Sequence, residues 1–135
     1  MPAKHFLDTN VLTYAVAKND PRASKAEALL ARGGGTVSIQ SLNEFVSIAR
    51  RKLDMSWDQV NELVDLICIL CPDPVPISLD THKEARAIAE RYGYSIYDAL
   101  VASAALEAGC ETLYSEDLQD GQIINRQLTI RNPFR

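Results

Sequence analysis

Lys4-His5-Phe6-Leu7-Asp8-Thr9-Asn10-Val11-Leu12-Thr13-Tyr14-Ala15-Val16 reads as a short buried strand that ends at Asp8 and passes directly into a helix begun by Thr9 or Asn10. The apolar run before the acid is too short for a helix, while Val11, Leu12, Tyr14, Ala15 and Val16 recur at helical spacing. Asn19-Asp20-Pro21 opens a second helix through Ala26, Leu29 and Leu30, which Gly33-Gly34-Gly35 stops before a strand at Thr36-Val37-Ser38-Ile39.

Two helices follow, Ser41 to Lys52 and Ser56 to Leu70, and Pro72-Asp73-Pro74 ends the second. Val75-Pro76-Ile77 is a brief extended piece. A helix from Thr81 to Tyr92 stops at Gly93, and an apolar helix runs from about Ser95 to Ala108 with Gly109 at its end. Cys110 to Tyr114 reads as a third strand and Leu128-Thr129-Ile130 as a fourth. Strands separated by helices imply an α/β three-layer sandwich around a mainly parallel sheet of four to five strands. In such folds right-handed crossovers put ligands at the carboxyl ends of the strands.

At 135 residues, 47% hydrophobic and 24% charged, the chain is ordinary globular material and reads as a single domain, 1–135. A net charge of -4 excludes a protein that holds nucleic acid by a broad basic surface, so any such ligand must be gripped locally. Arg50-Arg51-Lys52 is the candidate cation cluster. The start carries a charge at once and no long apolar run, which reads as a cytoplasmic protein without a signal peptide, and no stretch suits a membrane helix. Cys68 and Cys71 have the spacing of a zinc or redox pair. There is no second pair, however, and His5 and His82 are remote, so the expectation is reduced thiols acting as small core residues.

Four acids carry the distinctive chemistry. Asp8 ends a strand, Asp117 follows one, and Glu44 and Asp98 fall in what read as the opening turns of helices. Asp98 is the only acid before Glu107 in an apolar helix, where an isolated ion is costly and a compensating charge is required. Ser41 to Glu44 and Ser95 to Asp98 also fit a capping box, and either acid alone is more readily a cap than a ligand. Ser56 to Gln59 and Thr81 to Glu84 show the same pattern and read as plain caps. Taken jointly the four suit a hard cation. Two converging carboxylates at 4 Å would repel by about 4 kcal/mol at an effective dielectric of 20, a conflict that Mg²⁺ or Mn²⁺ removes.

Phe6-Leu7-Asp8-Thr9-Asn10, Ser41-Leu42-Asn43-Glu44-Phe45, Tyr97-Asp98-Ala99-Leu100-Val101-Ala102 and Leu113-Tyr114-Ser115-Glu116-Asp117 resemble, in order and over nearly the whole chain, the four motifs of PIN-domain ribonucleases. The likeness is greatest to the VapC-like toxins of toxin-antitoxin pairs. It implies a PIN-like fold and Mg²⁺-dependent hydrolysis of RNA, with Mn²⁺ able to substitute. Asp8, Glu44, Asp98 and Asp117 would be the catalytic, metal-binding set, with Thr9 and Ser115 as supporting hydroxyls. It further implies a homodimer and an antitoxin whose Arg satisfies the acidic groove. One departure is that Asp117 is followed by Leu118-Gln119-Asp120-Gly121 rather than Asp-Phe, which leaves Glu116 and Asp120 as alternatives for the fourth position. Two rivals are a haloacid-dehalogenase-like phosphatase with Asp8 as nucleophile and a non-catalytic binding module of the same fold.

Overall fold

The computed structural model describes residues 4–135; the opening of the segment read as lacking a signal peptide, residues 1–3, lies outside the described residues. A five-stranded sheet is built from β1 (His5–Leu7), β2 (Gly35–Thr36), β3 (Thr112–Tyr114), β4 (Ile123–Ile124) and β5 (Leu128–Arg131) in the order β2-β1-β3-β5-β4. All neighbours run parallel except β4 and β5. Helices α1 (Thr9–Val16), α2 (Ala23–Ala31), α3 (Ile39–Arg51), α4 (Trp57–Leu70), α5 (Leu79–Tyr92) and α6 (Ile96–Glu107) connect the parallel strands. Among the described residues, no helix is long and apolar enough to cross a membrane.

The strand period of two splits the core between the sheet's faces. Phe6 and Leu113 point into a cluster with Ala85, Ile88, Ala102 and Ala105 of α5 and α6. Leu7 points the other way, to Leu12, Leu29, Phe45 and Ile67 of α1 to α4. That is the expected three-layer sandwich. The small residues of α6 explain its seat: Ala99, Ala102, Ala104 and Ala105 are fully buried, so its backbone packs close to both α5 and the sheet.

Several boundaries differ from those read in the sequence. The segment expected as strand Thr36 to Ile39 is a strand only to Thr36. Ser38 is instead the extended N-cap of α3, accepting from the Ser41 N–H at 3.0 Å. Val75 pins this geometry by pairing with Ser38 and accepting from the Ile39 N–H at 2.9 Å. In consequence α3 begins before Ser41, and Glu44 belongs to its second turn rather than its first. Likewise Ser78, in a reciprocal box with Thr81, starts α5 at Leu79 rather than Thr81. Ser56 caps α4 as expected, with Gln59 completing the box.

β4, not foreseen, pairs with β5 through the three residues Asn125-Arg126-Gln127, in which Asn125 and Arg126 are left-handed at φ 50° and 60° and the Gln127 N–H donates to the Ile124 carbonyl at 3.0 Å to close the turn. All three cysteines are free, with Cys71 and Cys110 buried and Cys68 half-buried.

Candidate active site

Leaving β1 the chain travels to β2 on one side of it, and after four helices it returns as β3 on the other side. The carboxyl ends of β1 and β3 therefore flank the point where strand order reverses, the place where open α/β sheets hold ligands. Asp8 follows β1 there and Ser115-Glu116-Asp117 follows β3. Glu44 reaches the same place from α3 and Asp98 from the first turn of α6. All four acids line one cleft of about 410 Å³, with Thr9, Asn10, Thr13, Tyr14, Lys52 and Tyr97 among its other walls. A larger cavity of about 550 Å³ includes Lys4 and Glu107 in its lining and contains none of the four acids.

Asp8 is the deepest of the set, 6% exposed. One carboxylate oxygen accepts from the Thr9 N–H at 2.7 Å and the other from the Ser115 hydroxyl at 2.8 Å. Burial nevertheless pushes its pKa up to about 6 from 3.8, opposed by those two bonds and assisted by the charges of Asp117 and Glu44. The Asp98 carboxyl is raised by burial first, and the same two neighbouring charges add to the rise while the Ser95 hydroxyl lowers it.

Thr9 donates its hydroxyl to Glu44 at 2.8 Å, so the residue after Asp8 orients the next acid. Glu44 also accepts from the Gln40 amide at 3.4 Å. Asp117 accepts from the Asn10 amide at 3.2 Å, and its backbone N–H donates to Ser115 at the same distance. The supporting hydroxyls expected at Thr9 and Ser115 thus each contact a carboxylate.

The alternatives for the fourth acid are occupied elsewhere. Glu116 accepts from Arg22 at 3.1 Å, and Asp120 accepts from the Asn132 N–H at 2.9 Å. Asp117 is the one on the cleft wall.

These carboxylates share walls without closing on a point. Among the described residues, no three His, Cys, Asp or Glu side chains are grouped tightly enough to hold an ion as they stand. Mutual repulsion and separate hydrogen-bond partners favour that spread. The donors are nonetheless oxygen throughout and mutually destabilising when ionised, which is the chemistry a hard divalent cation fits.

The Arg50-Arg51-Lys52 expectation needs correcting. Arg50 turns to the Met55 carbonyl at 2.8 Å and over the Trp57 ring, and Arg51 bonds Ser47 at 3.0 Å; of the three, Lys52 alone lines the cleft. Neighbours in sequence are set about 100° apart around a helix axis, so three consecutive side chains do not share one face. Tyr97, 63% exposed on the cleft wall beside Asp98, and Asn10, which also accepts from the Glu116 N–H at 3.4 Å, were not singled out from the sequence. Asn10 stands two residues after Asp8, the one signal that could have found it.

The sequence profile of the PIN domain matches residues 5–119. Among solved structures, the toxin-antitoxin complex from Klebsiella pneumoniae is similar at TM-score 0.71 and 16% identity, covering 97% of this chain and 98% of that one. VapC20 of Mycobacterium tuberculosis, described as a toxin cleaving the sarcin-ricin loop, is similar at TM-score 0.64 and 19% identity, covering 84% and 90%. VapBC2 from Rickettsia felis, bound to a DNA fragment from its promoter, is similar at TM-score 0.64 and 23% identity, covering 95% and 98%. No curated protein sequence matches the chain.

Proposed function

The chain belongs to the PIN domain family, and we propose that it is a divalent-metal-dependent ribonuclease acting as the toxin of a toxin-antitoxin pair. The observation that carries this reading is the meeting of Asp8, Glu44, Asp98 and Asp117, from four separate stretches of sequence, on one cleft at the strand-order reversal. Mg²⁺, or Mn²⁺ in its place, would be held by those four carboxylates, where it supplies charge neutralisation at the scissile phosphate and activation of water. Thr9 and Ser115 fix the directions of the Glu44 and Asp8 oxygens before any ligand arrives, which lowers the reorganisation the site must undergo. Either Glu44 or Asp117, the latter exposed to solvent and steadied by Asn10, would orient the attacking water and take its proton as the bond to the 3′ oxygen breaks.

Asp8 as a phosphatase nucleophile is the weaker reading. Both its oxygens are engaged, and Asn10, where that chemistry wants a second acid, gives its amide to Asp117. Crystals soaked in Mn²⁺ test the proposal. Anomalous density between the four carboxylates is expected, and an empty cleft at saturating Mn²⁺ would leave the non-catalytic module as the better account.

The toxin reading requires an antitoxin, and the surface supplies a track for one. An apolar groove of about 490 Å³ is lined by Leu12, Val16, Leu30, Met55, Leu63 and Leu66. A smaller depression of about 380 Å³ holding Val16, Ala17, Lys52 and Met55 joins it to the acidic cleft. An amphipathic segment seated in the groove would therefore deliver an Arg to the carboxylates, a bidentate match for them. Leu66, 48% exposed on that groove, is the position to alter. Leu66→Glu is expected to lose co-purification with the antitoxin while RNA cleavage persists; unchanged co-purification would remove the groove from the interface. The homodimer belongs to the same reading and is checked by sedimentation of the purified chain.

A further inference from the structure

The densest set of directed contacts at the edge of the cleft ends on a residue outside the acidic set. Arg22 immediately precedes α2. Its guanidinium donates to the two Asp20 oxygens at 2.8 and 2.9 Å, and through Nη1 to the two Glu116 oxygens at 3.1 and 3.3 Å. The same group lies 3.7 Å from the centroid of the Tyr14 ring. Its backbone N–H also donates to Asp20 at 2.9 Å, which locks the turn that carries it. Tyr14 and Asp20 are walls of the cleft, whereas Glu116 turns out of it toward Arg22 and its neighbour Asp117 turns in.

We propose that Arg22 is a positioning residue: by tying Glu116 to the Asp20 turn and the Tyr14 ring, it sets the loop after β3 so that Asp117 faces the other carboxylates. This rests on the reading of Asp117 as part of the metal-binding set. Three features support it. The guanidinium fork is filled on three sides and its plane is stacked, so it is preorganised rather than free to sweep toward a ligand. The bond spans 94 residues of sequence, joining the α1–α2 connection to the β3 loop between Ser115 and Gly121, the two points at which backbone bonds to β5 hold that loop. Asn10 grips the same loop from within the cleft, at the Glu116 N–H and the Asp117 carboxylate, so the loop is held from both sides.

A partly exposed ion pair contributes little to global stability. Its effect should therefore appear locally, in how well the cleft binds a cation. Outer partners that orient metal ligands typically cost about 10- to 100-fold in affinity when removed. Mn²⁺ titration calorimetry on the full chain tests this. Arg22→Ala and Glu116→Ala are each expected to weaken Mn²⁺ binding by roughly that factor, the double variant no further, and Arg22→Lys to recover only part, with thermal midpoints near that of the parent. Should Arg22→Ala fail to fold, Glu116→Ala carries the test, since it leaves the Arg22–Asp20 pair and the stack on Tyr14 in place. Unchanged Mn²⁺ affinity in Glu116→Ala, or losses that add in the double variant, would overturn the proposal and leave Arg22 as a group that meets substrate directly. Asp117→Asn is the control: if it too binds Mn²⁺ like the parent, the reading of Asp117 as a metal ligand has failed, independently of Arg22.

Discussion

Asp8→Asn and Asp98→Asn are each expected to abolish Mg²⁺-dependent RNA cleavage, lowering kcat by about a thousandfold or more, while the fold survives. A cation acting as Lewis acid at a phosphate is worth several kcal/mol of transition-state stabilisation, and about 4 kcal/mol corresponds to three orders of magnitude in rate. The substitutions keep size and shape, so neither empties core volume, and Asp98 already reaches the cleft from a capped first turn that does not depend on its charge. Lys52→Ala provides the contrast. It removes the one member of the Arg50-Arg51-Lys52 cluster on the cleft wall, and a group that grips phosphate without meeting the reacting bond should raise KM by a few-fold and leave kcat nearly unchanged. Cleavage of a defined single-stranded RNA in Mg²⁺, followed against an EDTA blank, measures all three. Undiminished kcat in either Asn variant would sink the acidic site, and a kcat defect in Lys52→Ala would move that residue into the chemistry.

Three of the four acids that line the cleft stand out in the sequence because each sits against a local contrast. Asp8 interrupts an apolar strand, Asp98 interrupts an apolar helix, and Asp117 follows a strand in a turn. Glu44 was reached by a wrong step. The local Ser41-to-Glu44 pattern suggested a helix start, but the start belongs to Ser38, whose extended backbone is fixed by Val75, 37 residues away and invisible to a reading of neighbours. Glu44 still lines the cleft, since α3 presents it one turn further along.

The same limit hid β4 and Arg22. A strand of two residues has no period to detect, and an arginine in a left-handed turn position carries none of the signal that Asn-Gly would. Arg22 has one partner two residues away and another in the β3 loop, so only the folded chain shows that it joins the two. Fold class is written in short-range patterning, therefore, while the wiring that aims the site is written in long-range pairs.

Asp8 also makes the metal-free protein pH-sensitive, less stable as pH rises. Its carboxyl titrates at about 6 in the folded chain against an ordinary 3.8, so between those values the folded state holds more protons than the unfolded. Stability from this group is fully present below about 3.8 and is lost as pH rises through about 6. Asp98, also raised, acts in the same direction. Asp20 acts oppositely but in a separate window, because Arg22 holds it down to about 2 and its contribution is lost only in strong acid.

A shift of about two units corresponds to at most roughly 3 kcal/mol. In EDTA, Asp8→Asn should therefore match the parent near pH 4 and become more stable than it by up to about 3 kcal/mol by pH 7.5. The gain is trimmed because Thr9 and Ser115 donate to different Asp8 oxygens, and the amide nitrogen that replaces one of them in Asn cannot accept. Urea unfolding across that range measures the gap. Mg²⁺ should then reverse the order at pH 7.5, since a cation at about 1,000 times its Kd stabilises the folded parent by about 4.1 kcal/mol and the variant hardly at all. Parallel pH profiles for the two proteins in EDTA would show that burial at Asp8 is not the strain the cation relieves.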